Sequence, residues 1–308
     1  MSNHVVIGED EFAHQIAQEL GTAFIQVSPT VFPDTELKTR LSAEALKSIR
    51  TKTPLVVMRA KRYHPNPNDC VLKAILIADT LSRYGVQDKD LLLPYMFYAR
   101  QDGERLPGES NSLRKIAEMY EEVGFTNLIS VNSHLYGKTK TLQDFFSRTQ
   151  VSDISAAKVF SEHLRLQQLQ NPFIVGPGSG PEKMAIELSD LLECDYECLP
   201  KTRDPETGRV DMDPPTADLR EKDIIIYDDI ASSGGTTEMA YRLAEAKGPG
   251  SISIALAHLW TTRGINRLNV LGSRELITTN SFVTEHAENP FTELSLVPVI
   301  VQVLAQLT

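Results

Sequence analysis

With 308 residues, 41% of them hydrophobic and 23% charged, the chain has the make-up of a globular protein of about two domains. A formal net charge of -10 without a long basic run excludes an electrostatic footprint for nucleic acid or an anionic membrane surface, so any anionic ligand must be held by local features. Cys70, Cys194 and Cys198 are too few for a disulfide framework, and one Cys-x-x-x-Cys pair without nearby histidines is no zinc pattern; they read as buried or idle thiols. The opening residues 1–12 show no basic region followed by an apolar stretch, and nowhere do about 18 apolar residues run together, so the expected location is the cytoplasm.

Short apolar runs recur along the chain, at residues 5–7, 55–58, 91–93 and 128–131, and again at 173–175, 224–227, 252–256 and 276–277. Segments of helical period separate them: Leu113, Ile116, Ala117, Tyr120 and Val123 share one helical face, as do Met239, Ala240, Leu243 and Ala246. Strands alternating with helices predict parallel sheets covered on both sides, so the expected fold is α/β, two similar doubly wound domains. The expected division is 1–150 and 151–308. The tail 294–307 is apolar enough to dock, with Pro298 obscuring where its helix starts.

Residues 224–237 read Ile-Ile-Ile-Tyr-Asp-Asp-Ile-Ala-Ser-Ser-Gly-Gly-Thr-Thr, a buried strand entering paired acids, a small-residue turn and a helix. Gly234 and Gly235 let successive backbone N–H groups converge on a phosphate. The hydroxyls of Ser232, Ser233 and Thr236 add donors, and the helix N-terminus favours the anion. Asp228 and Asp229, at the carboxyl end of the strand, are placed to accept from vicinal hydroxyls of a sugar. Acids beside a phosphate cradle would repel free phosphate, so a sugar phosphate or a bridging metal explains the pairing better. The stretch resembles the phosphoribosyl pyrophosphate-binding loop shared by phosphoribosyltransferases and the synthetases of that compound.

Five further segments resemble the ribose-phosphate pyrophosphokinase family, in the order and spacing of its shorter, archaeal-like members. Phe32-Pro33-Asp34-Thr35-Glu36 is similar to a family motif that meets the adenine of ATP from a neighbouring subunit. Tyr63-His64-Pro65-Asn66-Pro67-Asn68-Asp69, which follows an apolar run, resembles a His-Pro-x-x-Asn-Asp segment of the family, and Tyr98-Ala99-Arg100-Gln101-Asp102 with Leu106-Pro107-Gly108-Glu109 resembles a stretch beside the nucleotide. An arginine there grips phosphate or stacks on a base, and a glutamine reads a base edge. Val131-Asn132-Ser133-His134 resembles a segment whose histidine helps hold magnesium. Lys201-Thr202-Arg203 matches the Lys-x-Arg of a flexible catalytic loop, where two cations neutralise charge developing on the transferred group.

The resemblance thus implies an ATP-using enzyme, with Mg2+ as cofactor, acting on ribose 5-phosphate. It implies Lys201 and Arg203 as catalytic residues, Phe32, Asp34, Glu36, Arg100, Gln101 and Asp102 for the nucleotide, and His134 for metal. It also implies a homo-oligomer with a nucleotide site shared between subunits. Two departures bear on the metal: Asn132 stands where the family usually has aspartate, and Pro177-Gly178-Ser179-Gly180 replaces the usual Pro-Asp-x-Gly turn. Ser179, Glu182, water or the ATP phosphates are the expected substitutes, or the glycines form a phosphate nest. Thr35 stands in a usual glycine position. The competing readings are a non-catalytic, ligand-binding paralogue and a phosphoribosyltransferase; the latter leaves the segments around Phe32 and Arg100 unexplained.

Overall fold

In the computed structural model, residues 3–49, 51–63, 66–203, 210–285 and 289–307 are described. The side chain of Arg203 lies outside this description, as do His64 and Pro65. The first half runs β1 (His4–Gly8), α1 (Glu11–Glu19), β2 (Phe24–Gln26), a hairpin of β3 (Thr30–Val31) and β4 (Leu37–Lys38), α2 (Ala43–Ile49) and β5 (Thr53–Val57). It continues with α3 (Pro67–Arg83), β6 (Lys89–Leu93), α4 (Ser112–Glu122), β7 (Phe125–Val131) and β8 (Gln150–Ile154). The sheet order is β2-β1-β5-β6-β7-β8, parallel throughout. β8 begins at residue 150 yet pairs with β7, so the first sheet extends through the expected division at 150/151 and the change of sheet follows Ile154.

The second half repeats the pattern with α5 (Ala157–Arg165), β9 (Phe173–Gly176), α6 (Glu182–Leu192), β10 (Asp195–Cys198) and a hairpin of β11 (Lys201–Arg203) and β12 (Val210–Met212). Then come β13 (Asp223–Ala231), α7 (Gly235–Glu245), β14 (Ser251–Leu259), α8 (Thr262–Asn269), β15 (Glu275–Thr279), β16 (Thr292–Leu294) and α9 (Val297–Leu304). Its sheet, β10-β9-β13-β14-β15-β16, is again parallel and has the same winding.

Alternation along the strands assigns each face. Val5 and Ile7 join one apolar cluster with α3 and α4, while Val6 joins another. Ile224 and Ile226 pack towards α7 and α8, whereas Ile225 and Tyr227 point the other way, as a two-residue side-chain period demands. That shared middle cluster holds Val6, Leu92 and Ile129 of the first sheet, Ile174, Ile225 and Ala255 of the second, and residues of α1, α5, α6 and α9 between them. The apolar tail therefore packs back on the first half, with Leu296, Val297, Ile300 and Leu304 buried in the cluster that contains Phe12 and Ile16. Pro298 falls in the first turn of α9, where its missing N–H costs nothing.

One expected helix face is displaced. In α7 the buried residues are Thr237, Ala240, Tyr241 and Ala244; Met239 and Leu243 are half-buried and Ala246 is exposed. Tyr241 supplies the apolar bulk that the reading by alanine and methionine overlooked. In α4, Leu113, Ala117 and Tyr120 are buried as expected.

Two arginines in the loop after β5 stitch the halves together. Arg62 is fully buried; it donates to the Leu259 carbonyl, to the Thr279 carbonyl (2.9 Å) and to Glu293 Oε1 (2.7 Å). Arg59 donates to the Asn280 carbonyl (2.6 Å), pairs with Asp10 (2.8 Å) and lies over the Phe12 ring. Burial pulls both guanidinium pKa values down, against the stabilising acids Glu293 and Asp10.

Candidate active site

In an open parallel sheet, ligands bind outside the carboxyl ends of the strands, where the winding reverses. Each half has such a place. Between β1 and β5 it is filled by the chain itself: Arg59 pairs with Asp10 and Lys73 with Glu9 (3.0 Å), leaving a cavity of about 150 Å³. Between β9 and β13 a cavity of about 590 Å³ opens, lined by residues of both halves.

From the second half, Asp228, Asp229, Ser232, Thr236, Gly180 and Lys201 line it. Asp228 and Asp229 end the apolar run of β13, whose pairing with β14 fixes their position. Burial drives the Asp228 carboxyl up, and the adjacent Asp229 adds to the shift. Asp229 is also penalised by burial, but hydrogen bonds from its surroundings, led by His134, hold it well below the usual carboxylate range. The pair thus presents one ionised and one protonation-prone carboxyl.

Ser233, Gly234 and Gly235 are not among the lining residues; they shape the turn. Gly234 adopts φ 74°, the left-handed region that favours glycine, and caps α7. The turn rests on α8: Thr261 Oγ1 donates to the Ser232 carbonyl (2.8 Å), Arg267 Nη1 to the Ser233 carbonyl (3.3 Å), and Gly264 lies too close to Ser232 for any side chain. These supports were invisible in the sequence, since they come from 29 to 34 residues downstream, in an unremarkable helix and its N-cap.

From the first half, Arg100, Gln101 and His134 line the cavity. The backbone that presents Arg100 bends sharply at Tyr98, φ 62°, whose hydroxyl bonds Asn68. Gln101 is fixed by accepting from Ser112 Oγ (2.6 Å), while its carbonyl accepts from the Leu113 N–H (3.1 Å). Asp102 does not line the cavity; it sits beside Arg105, 3.9 Å away. His134 Nδ1 lies 2.7 Å from Asp229 Oδ2, which orients the ring and joins the two halves.

Sequence reading missed two cations, Arg105 and Lys138, which with Arg100 and Lys201 give the cavity four positive side chains in a chain of net charge -10. Burial pulls the Lys138 ammonium pKa down, while Asp229 and Asp102 support its charge. It also missed the aromatic residues Tyr95, Phe97 and Trp260, which join Tyr98 in the cavity lining, with Trp260 stacked on Phe282 at 4.9 Å and 16°. Isolated lysines, arginines and aromatics carry no local signal.

Phe32, Asp34 and Glu36 stand on the β3–β4 hairpin and do not line this cavity; Phe32 is 41% exposed. Thr35 adopts φ 71°, a left-handed conformation suited to glycine. Asn132, φ 38°, is buried, and its Oδ1 accepts from the Ala156 N–H (2.8 Å), so the residue anchors the start of α5. The nearby carboxylate is Asp153, which accepts from the Ser133 N–H (3.0 Å) and hydroxyl (2.5 Å). Ser179 and Glu182 face an adjacent cavity of about 510 Å³. Among the described residues, no three His, Cys, Asp or Glu side chains are grouped to hold a metal. The cysteines are free, and burial raises their thiols, to about 12 for Cys70 and about 11 for Cys194 and Cys198.

Known proteins resemble the chain over both of its halves. The model of the N-terminal domain of ribose phosphate pyrophosphokinase matches residues 6–124, and that of the phosphoribosyl transferase domain matches residues 147–283. A ribose-phosphate pyrophosphokinase of Saccharolobus solfataricus is 30% identical over 276 residues, 89% of either chain. That of Methanopyrus kandleri is 26% identical over 300 residues, 97% of this chain and 96% of its own. The crystal structure of phosphoribosylpyrophosphate synthetase from Mycobacterium smegmatis superposes with a TM-score of 0.82 at 26% identity, covering 99% of this chain and 98% of that one.

Proposed function

Since the chain belongs to the ribose-phosphate pyrophosphokinase family, we propose that it transfers the pyrophosphoryl group of ATP to the C1 hydroxyl of ribose 5-phosphate, giving phosphoribosyl pyrophosphate and AMP. The observation that carries this reading is a cavity lined both by Asp228, Asp229, Ser232 and Thr236 and by the cations Arg100, Arg105, Lys138 and Lys201. The 5-phosphate sits on the backbone and hydroxyls of 232–236 at the N-terminus of α7. Asp228 and Asp229 accept from the ribose hydroxyls. Arg100, Arg105 and Lys138 hold the triphosphate, and Gln101 reads the base or orients the α-phosphate.

The C1 oxygen attacks the β-phosphorus, the bond from that phosphorus to the bridging α,β-oxygen breaks, AMP leaves with the electron pair, and the hydroxyl proton passes to solvent. Phosphoryl transfer of this kind asks little covalent chemistry of a protein, so positioning and charge do most of the catalysis. Lys201 and Arg203 offset the negative charge that builds on the transferred group and on AMP. No side chain is assigned as general base.

The donor set suits a magnesium ion carried on the nucleotide. Such an ion needs only one or two protein carboxylates beside phosphate oxygens and water, and Asp228, Asp229 and the free side of the His134 ring would offer these. When bound it would neutralise phosphate charge.

Phe32, Asp34 and Glu36 lie outside the cavity of their own chain, so their contribution to the nucleotide would come from a second copy in a homo-oligomer. No described helix is long and apolar enough to cross a membrane. Incubation with ATP, magnesium and ribose 5-phosphate should release AMP, and omission of the sugar phosphate should abolish that release; equal AMP in both would overturn the reading.

A further inference from the structure

Two glycines, one ending β9 and one in the turn after it, have their missing side-chain space filled by the end of β10 and the segment that follows it. A Cβ built on Gly176 would lie 2.6 Å from the sulfur of Cys198. One built on Gly178 would lie 2.5 Å from Cε, 2.8 Å from Cδ and 3.0 Å from Nζ of Lys201. Gly178 also has φ 115°, a conformation that side-chain-bearing residues rarely adopt.

The backbone follows the same path. Pairing of β10 with β9 ends at Cys198 and Gly176. The Gly176 carbonyl then accepts from both the Gly178 and Leu199 N–H groups, each at 2.8 Å. Asp213 N–H donates to the Pro200 carbonyl (3.0 Å), tying the far strand of the β11–β12 hairpin to this crossing. The chain therefore leaves the sheet directly over the turn, and Lys201 and Gly180 of that crossing both reach the cavity of Asp228.

We propose that the Gly176 and Gly178 backbone is a seat for residues 198–201, and that Gly178 is a positioning residue for Lys201 in the transfer reaction. By carrying no side chain, Gly178 lets the lysine stem lie flat across the turn and holds the ammonium at the cavity wall. A lysine on an exposed two-stranded hairpin would otherwise sample many rotamers. Transition-state charge is stabilised best by a cation already in place before the reaction. The seat supplies that preorganisation, at the sequence position where a larger residue would push the lysine away. This inference rests on the proposed function for its effect on turnover, and on geometry alone for the seat.

Four proteins test it: the wild type, Gly178→Ala, Lys201→Ala and the double variant, each measured for synthesis and for hydrogen exchange at the Leu199 amide. Gly178→Ala should lower kcat about 10- to 100-fold, leave KM for ribose 5-phosphate within about twofold, and speed Leu199 exchange. In the Lys201→Ala background the same change should lower kcat by a clearly smaller factor, because no stem remains to be displaced and only the strain of a side chain at φ 115° is left. Unchanged kcat in Gly178→Ala, or equal losses in both backgrounds, would overturn the proposal. If the wild type does not turn over while Leu199 exchange still responds to Gly178→Ala more strongly with Lys201 present than without it, the function falls and the seat stands.

Discussion

His134 of the first half and Asp229 of the second meet at 2.7 Å inside the cavity, although 95 positions separate them in the chain. The contact fixes the imidazole by one nitrogen and leaves the other for ligand. His134→Ala and Asp229→Asn should each lower turnover about 10- to 100-fold through lost orientation. The double variant should lose little more than the worse single one. Steady-state kinetics on the three proteins checks this; fully multiplicative losses would separate the two roles.

Arg62 is a second link between the halves, fully buried with carbonyl and carboxylate partners from β14, β15 and β16. Its removal takes a donor from the Leu259 and Thr279 carbonyls and the cationic partner from Glu293, which keeps its bond from the Thr284 hydroxyl (2.7 Å). Arg62→Ala should destabilise the protein by about 3–5 kcal/mol, read as a lowered urea midpoint. A loss below about 1 kcal/mol would place the arginine among ordinary surface ion pairs.

His258 links the sheets in another way, its ring bonded to the Val131 carbonyl (2.8 Å) and to the Ser281 hydroxyl (2.9 Å). Burial lowers its pKa from 6.5 to about 4, so it is neutral in the folded state near pH 7. Above pH 6.5 folded and unfolded rings are both neutral and the contribution is constant. As pH falls from 6.5 towards 4 the unfolded chain takes the proton first and stability declines. Between pH 7.5 and 5 the loss should be about 2 kcal/mol, and His258→Asn should flatten that part of the profile. An identical slope in the variant would remove His258 as its source.

Arg105 and Lys138 stand with Arg100 on the proposed triphosphate wall. Alanine at either position should raise KM for ATP about 5- to 20-fold and leave KM for ribose 5-phosphate nearly unchanged. Added salt should narrow the difference from wild type. Equal effects on both substrates would move these cations to the sugar-phosphate side.

The central strands were legible because each is an apolar run buried on both faces, as in residues 224–227 and 91–93. Edge strands were not. β10 reads Asp-Tyr-Glu-Cys and is largely exposed, and β2 and β16 have three residues each, so neither length nor alternation marks them. Residues 228–236 were readable since strand, acids and glycine turn are contiguous. The rest of the cavity is assembled over long range. Arg105 and Lys138 acquire meaning only when β6 and β7 bring their loops to one sheet edge, and Arg59 and Arg62 look like a solvated basic loop until the second sheet covers them. Glu121 is similar: in the sequence it is one helical acid of several, yet it accepts from the N–H groups of Ser147, Arg148 and Thr149 at 2.6–3.0 Å.

The transfer itself is tested most directly by following phosphorus from ATP labelled at the β-position, with magnesium and ribose 5-phosphate present and Asp228→Ala as control. The label should leave the nucleotide and appear in the sugar product, with one unlabelled AMP formed for each, and both products should vanish in the control. Label retained in ADP, or unchanged ATP in the wild type, would contradict pyrophosphoryl transfer at this site.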